Sequence, residues 1–289
     1  MYPAPFEYHT PSSVDEAVSL LAEYEDDAKL LAGGHSLIPV MKLRFAAPKH
    51  LIDLRKVDGL AGIREAQGAI VVGAMTRYAA VERSNLVRGR LPILAEAVSV
   101  IGDPLVRSMG TVGGSLAHAD PGADLPAVAL ALEAEMVVRG RGDRARTIPA
   151  RDFFLGMLST ALEPTEVLTE VRFPIPEAQW GGAYEKHKHP ASGYALVGVA
   201  AVIALRGDTI SQARVALTGI GTTPSRATAV EQAITGQRAS DQLFSSAAER
   251  AAEGVDIRED ASGDREYKTA LAAAVMRRAL HRAAEAARP

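Results

Sequence analysis

The stretch Ala32-Gly33-Gly34-His35-Ser36 follows an apolar run, Lys29-Leu30-Leu31, and opens onto a helical pattern from Leu37 to Arg44. About eighty residues later Thr111-Val112-Gly113-Gly114-Ser115 repeats the idea, two glycines beside a hydroxyl residue. Paired glycines let the backbone take φ > 0 and leave no Cβ in a ligand's way. Successive N–H groups in such a turn form an anion-binding concavity, and a helix start adds free donors and the positive end of a dipole. One such turn suits a phosphate. Two suit a pyrophosphate held from both sides, as in a dinucleotide. Neither stretch is a Gly-x-Gly-x-x-Gly or a Gly-x-x-x-x-Gly-Lys-Ser/Thr, so the two common nucleotide-binding fingerprints are absent.

Upstream of the first motif, Ser12 and Ser13 precede a helical pattern with Val14, Val18 and Leu21 on one face, Ser12 and Asp15 resembling a cap. Ser36 is placed to cap the helix from Leu37 to Leu43, and His50 to Leu54 reads as a strand. Residues 1–55 are therefore expected to form one β-α-β lobe. Strands at 62–64, 70–73, 135–139, 146–148 and 167–173, with helices from Thr76, Pro92 and Asp124, make 56–176 a second α/β lobe. Pro174, Pro176, Gly181 and Gly182 punctuate a boundary. Beyond it, 177–289 carries three long β patterns (183–188, 195–206, 209–219) and helical patterns at 225–235, 241–253 and 264–287.

The 289 residues are 47% hydrophobic and carry a net charge of −3. Basic residues are scattered, which gives no footprint for nucleic acid. No apolar run nears the ~20 residues that cross a bilayer, and the start of the chain lacks a signal peptide's basic and apolar regions, so a cytoplasmic location is expected. There is no cysteine. Disulfides, thiol nucleophiles and thiolate-held iron–sulfur clusters are excluded from this chain.

Asp124, ten residues after the second Gly-Gly, is either a helix cap or an acceptor for ribose or ribityl hydroxyls. His35, His118 and Asp120 have ligand chemistry but no four-ligand spacing, and no metal site is expected here. Ser36 and Thr111 lack a base and a Gly-x-Ser-x-Gly elbow, which favours capping or phosphate binding over nucleophilic roles. By propensity alone Tyr194 reads as a packing residue and Lys186 as a solvated one.

The two motifs, the segment Leu37-Ile38-Pro39-Val40-Met41-Lys42-Leu43-Arg44 and the run Asp120-Pro121-Gly122-Ala123-Asp124-Leu125-Pro126 resemble the FAD-binding medium subunits of molybdenum hydroxylases, above all the aerobic Mo/Cu carbon monoxide dehydrogenase branch. The likeness runs from Phe6-Glu7-Tyr8 through Ala183-Tyr184-Glu185-Lys186 to Met276-Arg277-Arg278. It implies an α+β, vanillyl-alcohol-oxidase (PCMH)-type fold: two α/β lobes with FAD between them, and a C-terminal domain of a three-stranded antiparallel sheet and helical bundle capping the flavin. It implies cofactor-binding roles for Ala32, Gly33, Gly34, His35, Ser36, Leu37, Ile101, Gly110, Thr111, Gly113, Gly114, Ser115, Asp124, Lys186 and Tyr194. Tyr194 would lie by the isoalloxazine ring and Lys186 near the cofactor. Ser115 stands where the family often has asparagine. No catalytic residue is implied on this chain. The FAD is expected to be non-covalent, with His35 the candidate tether if it is not. A molybdenum cofactor on a large subunit and [2Fe–2S] clusters on a small subunit would complete the relay, as a dimer of heterotrimers, with peripheral contact to a membrane electron acceptor. An aldehyde or N-heterocycle dehydrogenase subunit, a stand-alone flavin oxidase and a phosphate-ligand binding module are the alternatives.

Overall fold

The computed structural model describes residues 1–142, 144–176 and 179–288. Its first sheet is a three-stranded parallel one in the order β1 (Glu7–His9), β3 (His50–Asp53), β2 (Ala28–Leu31). Helix α1 (Val14–Tyr24) packs Val14, Ala17, Val18 and Leu21 toward Ala28 and Ile52. Its cap sits one residue later than the sequence suggests. Ser13 accepts from the Glu16 N–H at 3.1 Å, and Glu16 reaches back to Ser12 N at 2.7 Å, a reciprocal arrangement that satisfies two orphan donors. Helix α2 (Leu37–Lys42) follows the first glycine motif. Ser36 does not cap it through its side chain, because its backbone is already helical (φ −98°, ψ −51°).

The second sheet is five-stranded and antiparallel: β4 (Ile63–Ala66), β5 (Ala69–Gly73), β10 (Val167–Pro174), β6 (Glu135–Arg139) and β7 (Ala145–Pro149), in that order. A small hairpin, β8 (Phe154–Gly156) and β9 (Ser159–Thr160), precedes β10. Between β5 and β6 run α3 (Tyr78–Arg83), α4 (Asn85–Arg90), α5 (Pro92–Ser99), α6 (Pro104–Met109), α7 (Val112–His118) and α8 (Leu125–Ala131). Helix α9 (Ala150–Phe153) follows β7. The expected helices from Asp124 and Pro92 form. Helices α4, α6 and α7, and strand β1, are additions that short patterns did not signal.

The third sheet is four-stranded, one more than expected: β11 (Trp180–Lys188), β12 (Ala195–Arg206), β13 (Thr209–Thr218) and the two-residue β14 (Ser225–Arg226). Strand β14 occupies the start of the stretch read as helical, so α10 begins only at Thr228 (Thr228–Ile234). One face of this sheet is covered by α10, α11 (Asp241–Ala248) and α12 (Arg265–Ala286), the other by the second lobe. Strand β12, buried on both faces from Val197 to Leu205, therefore reads as a continuous apolar run rather than an alternation.

Helix α8 positions the site. Every residue from Leu125 to Ala131 is buried, because the helix lies between the second lobe and the third sheet and contacts Tyr184, Ala200, Val202 and Ala216 through a shared core. A helix apolar all round belongs in an interior. Its start, at Asp124, is thereby fixed at the junction of all three units. No helix among the described residues is long and apolar enough to cross a membrane.

Candidate functional site

A cavity of about 630 Å³ lies where the units meet, a size typical of small-molecule and cofactor sites. Of the fifteen residues singled out above, Ala32, Gly33, Gly34, His35, Ser36, Leu37, Ile101, Gly110, Thr111, Gly113, Gly114, Ser115, Asp124 and Tyr194 all line it. Lys186 does not; it stands one layer behind, against Asp124.

The first motif makes an open cradle. Gly34 takes φ +75°, and the N–H groups of Gly34, His35, Ser36 and Leu37 have no acceptor among the described residues. The first bonded N–H is that of Ile38, to the Gly34 carbonyl at 2.9 Å. Gly33 is needed for a different reason. A Cβ there would sit 2.4 Å from the Met109 carbonyl oxygen and 2.8 Å from Gly110 Cα, so a glycine is what lets the first lobe touch the second.

The second motif corrects the expectation of a matching φ > 0 turn. Val112 to Ser115 are the first turn of α7, with Thr111 as N-cap accepting from the Gly114 N–H at 3.1 Å. Val112 N–H bonds the Thr76 carbonyl, Gly113 N–H that of Ala74, and Ser115 N–H that of Thr111. Its donors are spent within the chain. Gly113 is glycine because a Cβ would lie 2.5 Å from Ala74 Cβ, and Gly110 because one would lie 2.5 Å from the Tyr78 ring. What this motif offers the cavity is a Cβ-free wall at Gly114, the Ser115 hydroxyl and the positive end of a short helix.

Asp124 is 4% exposed and does not cap α8 through its side chain. One carboxylate oxygen accepts from the Tyr184 hydroxyl at 2.6 Å; the other accepts from Lys186 Nζ at 2.9 Å. Lys186 also donates to the Val100 carbonyl at 3.2 Å, and its side chain is 5% exposed, not solvated as propensity suggests. Strand alternation puts Tyr184 and Lys186 on one face of β11, both directed at the start of α8. Burial pushes the Asp124 carboxyl up, against the opposing pull of Lys186 and Tyr184. It pushes the Tyr184 hydroxyl up as well, reinforced by the carboxylate beside it.

Two further tyrosines face the cavity. Burial, eased by a hydrogen bond to Ser115, pushes the Tyr78 hydroxyl up to about 12. Tyr194, on the loop between β11 and β12, is 42% exposed and hydrogen bonds to Ser36; burial and the nearby Asp120 raise its hydroxyl. It also lines an adjoining cavity of about 370 Å³. Sequence reading missed Tyr78 and Tyr184. The spacing of Tyr184 and Lys186, two apart on a β pattern, was the available signal for the latter. His35 Nδ1 lies 3.2 Å from the Gly33 carbonyl oxygen, and His118 pairs loosely with Asp120 at 4.0 Å.

Residues 4–176 match the family described as FAD binding domain in molybdopterin dehydrogenase, and 182–283 the CO dehydrogenase flavoprotein C-terminal domain. The chain is 46% identical over 283 residues to the carbon monoxide dehydrogenase medium chain of Hydrogenophaga pseudoflava, covering 98% of each. It is 34% identical to the caffeine dehydrogenase subunit beta of a Pseudomonas species, covering 99% of this chain and 97% of the other. A solved carbon monoxide dehydrogenase from Hydrogenophaga pseudoflava superposes with a TM-score of 0.94 at 48% identity, over 98% of both chains. Quinoline 2-oxidoreductase from Pseudomonas putida 86 also gives 0.94, at 34% identity and 99% coverage of both.

Proposed function

This chain belongs to the FAD-binding medium subunits of the molybdenum hydroxylases, and from that premise we propose that its central cavity holds FAD and relays electrons from a substrate oxidised on a partner chain. The observation that carries this reading is the run of N–H groups from Gly34 to Leu37, without acceptors among the described residues, beside the Cβ-free wall of Gly114. Four successive donors at a helix start suit a pyrophosphate. FAD, when bound, supplies reversible redox chemistry that couples two-electron and one-electron carriers. The residues of this chain bind and orient it. The first motif would take the pyrophosphate, with Ala32 and Gly33 shaping the turn and Thr111 and Gly113 holding α7 in place. Ile101 and Gly110 would wall the cavity. Asp124 would accept hydroxyl donors on its remaining lone pairs, while Tyr184 and Lys186 keep it fixed. Tyr194 would border the ring.

The share of the chain covered by medium chains supports an assembly with large and small partner subunits. Those partners would carry the molybdenum cofactor and the [2Fe–2S] clusters, since this chain has no cysteine. A dimer of such trimers in the cytoplasm, touching a membrane acceptor at its surface, is the assembly proposed. The division into 1–55, 56–176 and 177–289 is proposed with it, although residues 177 and 178 lie outside the described ones. Greater identity to carbon monoxide dehydrogenase medium chains than to the caffeine dehydrogenase and nicotine 6-hydroxylase subunits supports carbon monoxide as the partner's substrate. An N-heterocycle is the second reading, favoured by the 0.94 superposition on quinoline 2-oxidoreductase. The test is the visible spectrum of the complex purified with its native partners, followed by acid precipitation. Flavin and iron–sulfur absorbance with FAD released into the supernatant is the expected result; a complex that stays colourless after FAD addition would overturn the proposal.

A further inference from the structure

Outside the lining of the cavity, the parallel pairing of β1 with β3 brings three metal-binding side chains together. Glu7 and His9 are two apart on β1 and share a face, and Glu7 is in register with His50 on β3. His9 Nε2 lies 3.1 Å from His50 Nδ1, and His50 Nδ1 lies 3.6 Å from a Glu7 carboxylate oxygen. One donor atom of each residue falls within 4.8 Å of the other two. A metal with N and O ligands at about 2.0–2.2 Å sets neighbouring donors of a tetrahedron roughly 3.3–3.5 Å apart. The two separations from His50 Nδ1 fall within about 0.2 Å of that edge.

The rings are also held. Tyr24, at the end of α1, stacks on His50 with centroids 3.7 Å apart and planes 6° apart, and His9 stacks on Tyr24 at 5.2 Å. Stacking uses the ring faces and leaves the in-plane nitrogen lone pairs free to ligate. His50 is largely buried (side chain 16% exposed) while Glu7 is open at 73%, so the group is reached by solvent from the Glu7 side. The histidines weighed as ligands from the sequence, His35 and His118, are not part of it. Forty-one residues separate His9 from His50, and only the parallel register joins them.

We propose that Glu7, His9 and His50 form a three-ligand site for a borderline divalent transition metal such as Zn²⁺, with the fourth position open to water or to a side chain of another molecule. Two imidazoles and one carboxylate select this class over Ca²⁺ or Mg²⁺, which take oxygen sets. Removing one of three ligands weakens such a site by at least tenfold. The test uses the untagged, FAD-loaded complex, stripped with chelator and titrated with Zn²⁺ by calorimetry, then with Co²⁺ by visible absorbance. One equivalent per medium chain with tetrahedral Co²⁺ bands, weakened at least tenfold by His9→Gln and by His50→Gln at unchanged FAD content, is the expected result. Absence of saturable binding, or affinity unchanged in both variants, would overturn the proposal and leave a hydrogen-bonded histidine pair. The Glu7→Gln variant, at a position whose side chain is 73% exposed, repeats the comparison if either histidine change impairs folding. FAD content reports separately on the electron-relay reading, so the two can fail independently.

Discussion

Gly33 and Lys186 show two ways a single side chain can decide this site. A methyl at Gly33 would meet the Met109 carbonyl and Gly110 Cα, backbone that cannot turn aside. Gly33→Ala is therefore expected to force the first lobe off the second, destabilising the protein by about 1–3 kcal/mol and releasing FAD; denaturant unfolding and flavin content check both. Lys186 neutralises a carboxylate that is 4% exposed. Lys186→Met would strand Asp124 as a buried, unpaired charge, at a cost of about 3–5 kcal/mol. Changing Asp124 to Asn in that background should recover part of the loss, read by the same unfolding curves. At this scale the sequence was legible where backbone conformation chose the residue, as at Gly34. It was misleading where packing chose it, as at Gly113 against Ala74. Lys186 looked solvated because nothing local reveals that β11 faces the start of α8.

Helix α7 carries the second motif, and its start depends on one hydroxyl. Thr111→Val would remove the acceptor for the Gly114 N–H and cost about 1 kcal/mol, lowering the unfolding midpoint while FAD still binds through the first motif. A Gly114→Val change would do more, because its Cβ would press to 2.7 Å from Thr111 Oγ1, distorting the cap. The segment before α12 gives a pH dependence. Burial alone would raise the Asp260 carboxyl, but hydrogen bonds from Lys268 and the Ser262 N–H, with the charges of Lys268 and Arg258, bring it down to about 2. A depressed carboxylate adds stability that is present above its unfolded value, 3.8, and is lost as pH falls toward 2. Unfolding midpoints should drop across that window, and Asp260→Asn should flatten the drop. Long elements such as α12 and β12 were readable from periodicity and length. The six- and seven-residue helices α4, α6 and α7 were not, since they span too few turns to show a period and owe their shape to the packing around them.

Over the whole molecule, three sheets meet at one place, the start of α8, and the cavity opens beside it. The closeness of the two glycine motifs could be read from the chain, because both carry the same Cβ-free, hydroxyl-bearing composition suited to one ligand. Their inequality could not. Both contain Gly-Gly and a hydroxyl residue, yet one has donors without an acceptor among the described residues and the other has bonded its donors to Ala74, Thr76 and Thr111. Cofactor affinity should therefore reside mainly in the first motif and in the pyrophosphate it receives. The measurement that tests this most directly is the affinity of the flavin-stripped complex for FAD against riboflavin, which keeps the ring and loses both phosphates. The cradle from Gly34 to Leu37 predicts at least a hundredfold weaker binding of riboflavin. Equal affinity would mean that the ring alone is recognised, and would contradict the role given to the first glycine motif.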